Sequence, residues 1–241
     1  MSQFALCPVT GLEFRIIHKS NWARLPPEDV CASFEISISN SRCSSRFLTC
    51  QMNWASDRFE EFEFSIADTL RAYNYVALGH PIHGRLTLNA AQQVTKDEGR
   101  RWVEQNLPAI HAVLGNKPFR LMNWETWRSE PRFDSNFALL RSVYETDTSF
   151  RSCVDADVSA YAARQRHGHK TLDDQEMEKL ALYLLEELAV YQIQAETRPT
   201  VNIYPGGMMQ VFRRMGSFTE IPESLKGRHF AYFEIREVRT T

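Results

Sequence analysis

The fold is decided by residues 32–67, which read ASFEISISNSRCSSRFLTCQMNWASDRFEEFEFSIA. Residues 32–37 and 62–67 have the pattern of short buried strands, and residues 44–59 carry apolar side chains at helical spacing. A strand, a helix and a strand in this order form a βαβ unit, which builds a parallel sheet. We therefore predict strands that end at one edge of a sheet, where open α/β sheets bind their ligands.

The rest of the chain continues the alternation of strands and helices. Further strands are predicted over 119–124, 200–204 and 229–235. Helices are predicted over 88–106 with Pro108 as the stop, over 136–161, over 173–195 with Thr171 as the cap, and over 207–215. No repeat and no linker rich in Pro, Gly or Ser divides the sequence, so residues 1–241 are expected to form one α/β domain.

Composition excludes several classes of protein. The 241 residues are 43% hydrophobic and 24% charged with a net charge of -2, which argues against disorder and against a uniformly basic nucleic-acid binder. The sequence has neither a stretch of about 18 apolar residues nor a secretory start, so we expect no membrane span. The five cysteines lack CxxC spacing, which favours a reducing, cytoplasmic location.

Motifs for metals and nucleotides are weak. The pairs His80 and His83, and His167 and His169, lack a third ligand at a suitable spacing, and we interpret both as solvated loops. Neither GxGxxG nor GxxxxGK[ST] occurs. We expect no metal and no cofactor.

A polar turn follows the first strand and holds a candidate nucleophile. Ser37 ends the strand, and Asn40 and several serines lead into the next helix. A serine there would lie at the ligand-binding edge, and the turn and helix start offer N–H donors to an oxyanion. The alternative is that Ser39, Ser41 and Ser44 are only turn and cap residues.

Two later segments carry phenols and a carboxylate. Tyr183 and Glu187 are four residues apart on the helix predicted over 173–195, so they share a face that is otherwise apolar. Such a pair needs a polar partner, and a substrate ammonium would serve; the alternative is a boundary tyrosine beside a solvated glutamate. Glu186 is expected to be solvated. Tyr204 ends another predicted strand, before Pro205.

Taken together and in this order, these segments resemble the tRNA-dependent cyclodipeptide synthases over almost the whole chain. The resemblance implies a single Rossmann-like domain with a mostly parallel central sheet flanked by helices, similar to the catalytic domain of class I aminoacyl-tRNA synthetases. Two features depart from the family pattern. Glu35 stands where the family usually has glycine, and Asn40 occurs together with Tyr204-Pro205, a combination that the two types within the family usually separate.

The resemblance also implies a mechanism. Ser37 takes the aminoacyl group of a first charged tRNA, a second aminoacyl-tRNA converts it to a dipeptidyl-enzyme, and internal attack releases a cyclic dipeptide, a 2,5-diketopiperazine. Glu187 and Tyr183 hold the α-ammonium, Tyr204 orients groups or relays protons, and Asn40 fixes the loop behind Ser37. The partners are two aminoacyl-tRNAs, and we expect a monomer or a weak homodimer.

Two further sets of residues are assigned on the same basis. The pocket for the first amino acid is predicted to be lined by Ser33, Glu35, Ser65 and Ala67, and the tRNA surface to include Lys96, Arg100, Arg101, Arg213 and Arg214. Glu35 lies two residues before Ser37, on the same side of the strand. A carboxylate there favours a polar or cationic first amino acid, with His or Arg as candidates, unless Glu35 pairs with an arginine or lysine of the protein.

Two other classes of function stay open at this point. One is a serine hydrolase or acyltransferase that acts on a small ester, although the sequence has no GxSxG motif and no histidine clearly paired with Ser37. The other is a tRNA-binding protein without catalysis.

Overall fold

The computed structural model describes residues 4–18, 29–165 and 172–237. These residues form seven strands: β1 Ala5–Leu6, β2 Glu13–His18, β3 Cys31–Ile36, β4 Glu61–Ile66, β5 Phe119–Asn123, β6 Thr200–Tyr204 and β7 His229–Arg236. The same residues form nine α-helices: α1 Ser45–Ser56, α2 Ala72–Leu78, α3 Leu88–Leu114, α4 Trp124–Arg128, α5 Phe133–Thr146, α6 Thr148–Gln165, α7 Asp174–Thr197, α8 Gln210–Arg214 and α9 Glu223–Lys226.

All seven described strands belong to one sheet, in the order β1-β2-β7-β6-β3-β4-β5. Strands β7, β6, β3, β4 and β5 are parallel, and β2 and β1 extend the β7 edge in antiparallel pairs. The chain runs outward from β3 through β4 to β5 and then returns to β6, on the other side of β3. The carboxyl ends of β3 and β6 therefore flank the switch point at which open α/β sheets bind ligands. The predicted α/β fold with a mostly parallel sheet is confirmed.

The two faces of the sheet differ in chemistry because side chains alternate along each strand. Phe34, Phe64 and Phe233 point to the layer that contains α1 and α3 and pack in one apolar cluster. The opposite face is polar at its centre, where Ser33 and Glu35 of β3 lie fully or almost fully buried beneath α7. The polar centre of this face is what positions the candidate site.

Two predicted helix boundaries are wrong. Helix α3 does not stop at Pro108 but continues to Leu114. Pro108 and Glu104, the residue four positions earlier, are exposed, so solvent can accommodate the proline ring and the carbonyl that loses its hydrogen bond. The helix predicted over 136–161 is two helices, because Asp147 turns the chain and accepts hydrogen bonds from the N–H groups of Ser149 and Phe150 at 2.8 and 3.1 Å.

Other predicted boundaries shift by smaller amounts. Asp173, not Thr171, caps α7: its carboxylate accepts from the Glu176 N–H at 2.8 Å and forms a capping box. Thr171 lies outside the described residues. The helix predicted over 207–215 begins only at Gln210, and β3 ends at Ile36, one residue before Ser37. Strands β1 and β2 and helix α2 were not predicted.

Candidate active site

A cavity of about 520 Å³ opens at the carboxyl ends of β3 and β6, within the range of about 300–1,000 Å³ typical of ligand sites. Ser37 and Asn40 line it from the loop after β3, and Tyr204 lines it from the end of β6. Tyr183 and Glu187 line it from α7. The fold thus brings together the five residues that the sequence assigned to catalysis; their roles stay predictions.

A tight turn presents Ser37 to the cavity. The Asn40 N–H donates to the Ser37 carbonyl at 2.9 Å, and the Ser37 and Ser39 hydroxyls are 3.3 Å apart. Ser37 is half-buried, so its hydroxyl can be reached by a ligand. The expected turn after the first strand is present, and it exposes the serine rather than burying it.

Asn40 connects the loops that follow β3 and β6. Its side-chain Nδ2 donates to the Tyr204 hydroxyl and to the Pro205 carbonyl, both at 3.4 Å, and its Oδ1 accepts from the Arg42 N–H at 3.1 Å. Since the Tyr204 oxygen accepts from Asn40, the phenol proton is left for a substrate oxygen. Burial raises the pKa of Tyr204, so the group is a neutral donor.

On α7, Glu187 has a partner that the sequence reasoning missed. The Tyr191 hydroxyl, one turn further along the helix, donates to Glu187 Oε1 at 3.0 Å. Burial raises the pKa of Glu187 to about 7, although the bond from Tyr191 lowers it in part. Burial also raises the pKa of Tyr183 well above its ordinary value. The four-residue spacing that pointed to Tyr183 and Glu187 extends to Tyr191 and could have found it.

The expectation that Glu186 is solvated is wrong. Its carboxylate is buried and accepts from Tyr73 Oη at 2.6 Å, Trp124 Nε1 at 2.9 Å and Arg128 Nη2 at 2.7 Å. Helix α7 packs against the sheet on one side and against other helices on its other sides, so a position turned away from the cavity still meets protein.

A buried polar network lies beneath the cavity floor. Glu35 lines the cavity, and its Oε1 accepts from Ser33 Oγ at 3.0 Å and from Asn202 Nδ2. Ser33 also contacts Glu63 Oε1 at 3.2 Å, and Gln194 donates to that same atom at 2.9 Å. Glu35, Ser65 and Ala67 are among the cavity-lining residues, whereas Ser33 lies one layer below.

Burial dominates the electrostatics of Glu35. The pKa of this carboxyl is raised to about 8, even though the nearby Arg228 guanidinium and the bond from Asn202 lower it. Glu63, in contrast, forms an ion pair with a partly exposed arginine of β5: Arg120 Nη2 donates to Glu63 Oε2 at 2.7 Å. The two buried carboxyls therefore differ, and Glu35 is the one that faces the cavity.

Asp157 of α6 is a cavity residue without a sequence signal. Its two carboxylate oxygens accept from the Gln210 and Val211 N–H groups at 2.8 Å each, which fixes the start of α8. Residues 205–209, between β6 and α8, line the cavity, so Asp157 holds one of its walls in place. Gln210 and Val211 lie more than fifty residues after Asp157 in the chain (53 and 54), so local sequence spacing does not predict this contact.

The basic residues assigned to tRNA lie on two surfaces. Lys96, Arg100 and Arg101 are exposed on α3, where Lys96 pairs with Glu125 at 2.8 Å and Arg100 with Asp97 at 3.2 Å. Arg213 and Arg214 are exposed at the end of α8. These assignments stay predictions.

The interpretation of His80 and His83 as solvated is correct for His83 and wrong for His80. His80 is buried, and its Nδ1 accepts from the Ile82 and His83 N–H groups at 3.1 Å each, while His83 is exposed. His167 and His169 lie outside the described residues. Within the described ranges, no helix has the length and apolar character needed to span a membrane.

The architecture and the cavity define a Rossmann-like α/β domain with a serine, two tyrosines and a glutamate at its switch point. A family model described as cyclodipeptide synthase matches residues 28–197. The chain therefore belongs to the cyclodipeptide synthase family, as the sequence resemblance predicted. No curated protein matches the chain.

Solved structures share the fold at low sequence identity. A cyclodipeptide synthase from Fluoribacter dumoffii superposes with a TM-score of 0.79 at 15% identity, over 93% of this chain and 98% of that one. A Mycobacterium tuberculosis protein, described as showing that cyclodipeptide synthetases are related to type I tRNA synthetases, gives 0.70 at 15% identity over 94% of each chain. A synthase from Candidatus Glomeribacter gigasporarum, solved bound to Phe-tRNA, gives 0.65 at 16% identity over 92% of each chain.

Proposed function

We propose that this chain joins the amino acids of two aminoacyl-tRNAs into a cyclic dipeptide by covalent catalysis through Ser37. The observation that carries the proposal is the meeting of Ser37, Tyr183, Glu187 and Tyr204 around one cavity at the switch point. Membership of the family and the tRNA-bound structure of a relative support the choice of substrate.

In the first step the Ser37 hydroxyl attacks the ester carbonyl of one aminoacyl-tRNA. A new ester forms at Ser37 Oγ, the bond to the tRNA ribose oxygen breaks, and that oxygen takes up the proton that the serine loses. Glu187, as carboxylate, binds the α-ammonium together with Tyr183, which orients the acyl carbon toward Ser37.

In the second step the bound amino group becomes the nucleophile. For the dipeptide to stay on Ser37, the amine of the aminoacyl-Ser37 must attack the ester of the second aminoacyl-tRNA, whose ribose oxygen leaves. The ammonium has to lose a proton first. Glu187 is next to it in this scheme, and its pKa of about 7 suits a group that first holds an ammonium and then accepts its proton.

In the last step the free amine of the dipeptide attacks the ester at Ser37. The ring closes, the serine oxygen leaves, and the hydroxyl is regenerated by the proton from the amine. Tyr204, held by Asn40, supplies a neutral O–H donor to the oxygen that develops charge. The ester bonds to tRNA supply the free energy, so the scheme calls for no nucleotide or metal cofactor.

The residues around Ser37 favour this scheme over a hydrolase. Among the described residues that line the cavity none is a histidine, so Ser37 lacks the base of a Ser-His pair. A substrate ammonium beside Glu187 gives the buried carboxylate a partner that a simple ester would not provide.

The test is the product formed from a mixture of aminoacyl-tRNAs. We expect mass spectrometry to detect a diketopiperazine with the wild-type protein and none with Ser37→Ala, while Ser39→Ala, a serine 3.3 Å away, keeps activity within a few-fold. Free amino acid as the sole product would establish a hydrolase. A tRNA complex without any product would establish a binding protein. Either result would overturn the proposal.

A further inference from the structure

The floor of the cavity carries a carboxylate with one oxygen left for a ligand. Glu35 Oε1 accepts from Ser33 and Asn202, but Glu35 Oε2 accepts no hydrogen bond from any described residue. The neighbouring Asn202 donates to Glu35 and, at 3.0 Å, to Gln194, and it lies fully buried below the cavity. Glu35 is therefore the acceptor of this network that lines the cavity, and a ligand with an N–H donor would complement it.

The protein supplies Glu35 with only part of a counter-charge. Arg228 is a nearby cation whose charge lowers the pKa of Glu35, and it also donates from Nη1 to the Tyr191 carbonyl and from Nη2 to Gln194 Oε1, the latter at 2.9 Å. The carboxylates of Glu63 and Glu187 also act on Glu35 and oppose its ionisation. Burial and these two carboxylates outweigh Arg228, since the pKa of Glu35 stays at about 8.

The position of Glu35 relates it to the acyl group on Ser37. Glu35 is the second-last residue of β3 and Ser37 directly follows the strand, and both line the same cavity. An amino acid held at Ser37 by its carbonyl and at Glu187 by its ammonium can direct its side chain along the cavity toward Glu35. Aromatic rings of Tyr191, Phe230 and Tyr232 also line the cavity, and ring faces attract cations.

We propose, on the basis of the proposed function, that the first aminoacyl group carries a cationic, donor-rich side chain, a guanidinium or an imidazolium, and that Glu35 selects it. Glu35 Oε2 accepts from the side chain in a charge-assisted hydrogen bond. A leucine or phenylalanine side chain would leave this acceptor unpaired, and the site discriminates against both for that reason.

The experiment supplies wild-type protein with all twenty aminoacyl-tRNAs and identifies the diketopiperazines by mass spectrometry. We expect arginine or histidine in the main product. A main product of two aliphatic or aromatic residues would overturn the inference while leaving the proposed function intact. Formation of no diketopiperazine from any aminoacyl-tRNA would reject the proposed function, and this inference with it.

Variants then test whether Glu35 is responsible for the preference. In single-turnover transfer to the enzyme, we expect Glu35→Gln to lower the preference for arginyl- or histidyl-tRNA over leucyl-tRNA by at least 10-fold, a loss of about 1.4 kcal/mol. Glu63→Gln is the matched control, because Glu63 belongs to the same buried network but does not line the cavity; it should keep the preference. An unchanged preference in Glu35→Gln, or equal losses in both variants, would contradict the assignment. The wild-type product needs no variant and so decides the question even if a variant fails to fold.

Discussion

At the scale of single residues, Gly206 has a steric role beside the candidate site. A methyl group at this position would lie 2.9 Å from Cε1 and 3.3 Å from Cδ1 of Tyr204, closer than side chains normally approach. At Gly207 a methyl group would meet nothing within 4 Å. The two adjacent glycines therefore provide a matched pair of substitutions.

We predict that Gly206→Ala lowers diketopiperazine formation by roughly 10-fold or more, because the displaced Tyr204 ring moves its hydroxyl away from the substrate. Gly207→Ala should stay within about 2-fold of wild type: Gly207 also lines the cavity, but its added methyl group meets nothing within 4 Å and leaves the Tyr204 ring in place. Rates measured under the same conditions, with circular dichroism as a check on folding, decide between them. Equal activity of the two variants would show that the position of Tyr204 does not matter.

At the scale of elements, α7 carries two adjacent glutamates with different surroundings. Glu187 faces the cavity with one recorded hydrogen bond, from Tyr191, whereas Glu186 is held by Tyr73, Trp124 and Arg128. The first is available to a substrate and the second ties the helix to its neighbours.

We predict that Glu187→Gln lowers turnover by about 10- to 100-fold, the effect of losing a charge-assisted bond of about 1.5–3 kcal/mol, with little change in melting temperature. Glu186→Gln should instead reduce stability by up to about 3 kcal/mol, because Arg128 loses a buried partner. Turnover and urea denaturation separate the two effects. Similar losses of turnover in variants that are both fully folded would contradict the division of roles.

The strands and helices also show what the sequence could reveal. The central βαβ unit and the parallel strands were predictable because buried strands and an amphipathic helix leave a periodic pattern. Strand β1 and helix α2 were not predicted because they have only two and seven residues, and β2 was not predicted because its position depends on antiparallel pairing with the distant β7. Spacing found Tyr183 and Glu187, but it could not find Asp157 or the burial of Glu186, which depend on contacts distant in the chain.

At the scale of the whole molecule, the buried carboxyls make stability depend on pH. The pKa of Glu35 is raised to about 8 and that of Glu187 to about 7, so the folded protein keeps protons that the unfolded chain releases above about pH 4.5. Their contribution is complete below that pH and is lost as the pH rises through 7 and 8.

We predict that Glu35→Gln flattens this dependence. Urea denaturation at several values between pH 5 and 8 should show the wild type losing stability relative to the variant as the pH rises, because other titrating groups cancel in the difference. A difference that stays constant over the range would mean that Glu35 is ionised throughout and that its carboxylate is already satisfied within the protein.

Under the proposed function, the net charge of -2 means that tRNA binds to a local basic surface rather than to a uniformly basic protein. We predict that replacing Arg100 and Arg101 of α3 together by alanine raises the KM for aminoacyl-tRNA and reduces the slope of log KM against log salt by about 1 to 2. Arg141→Ala on α5, an exposed arginine in the opposite layer, should change neither. An equal change in KM and in its salt dependence for Arg141→Ala would contradict the assignment of the tRNA surface to Arg100 and Arg101.

Attachment of an aminoacyl group to Ser37 can be detected by peptide mapping after incubation with aminoacyl-tRNAs that carry labelled amino acids. With the reaction quenched in acid during turnover, we predict a labelled aminoacyl or dipeptidyl ester on the peptide that contains Ser37, and no label on Ser37→Ala. A stable label on any other residue, or diketopiperazine formed by Ser37→Ala at the wild-type rate, would contradict the account.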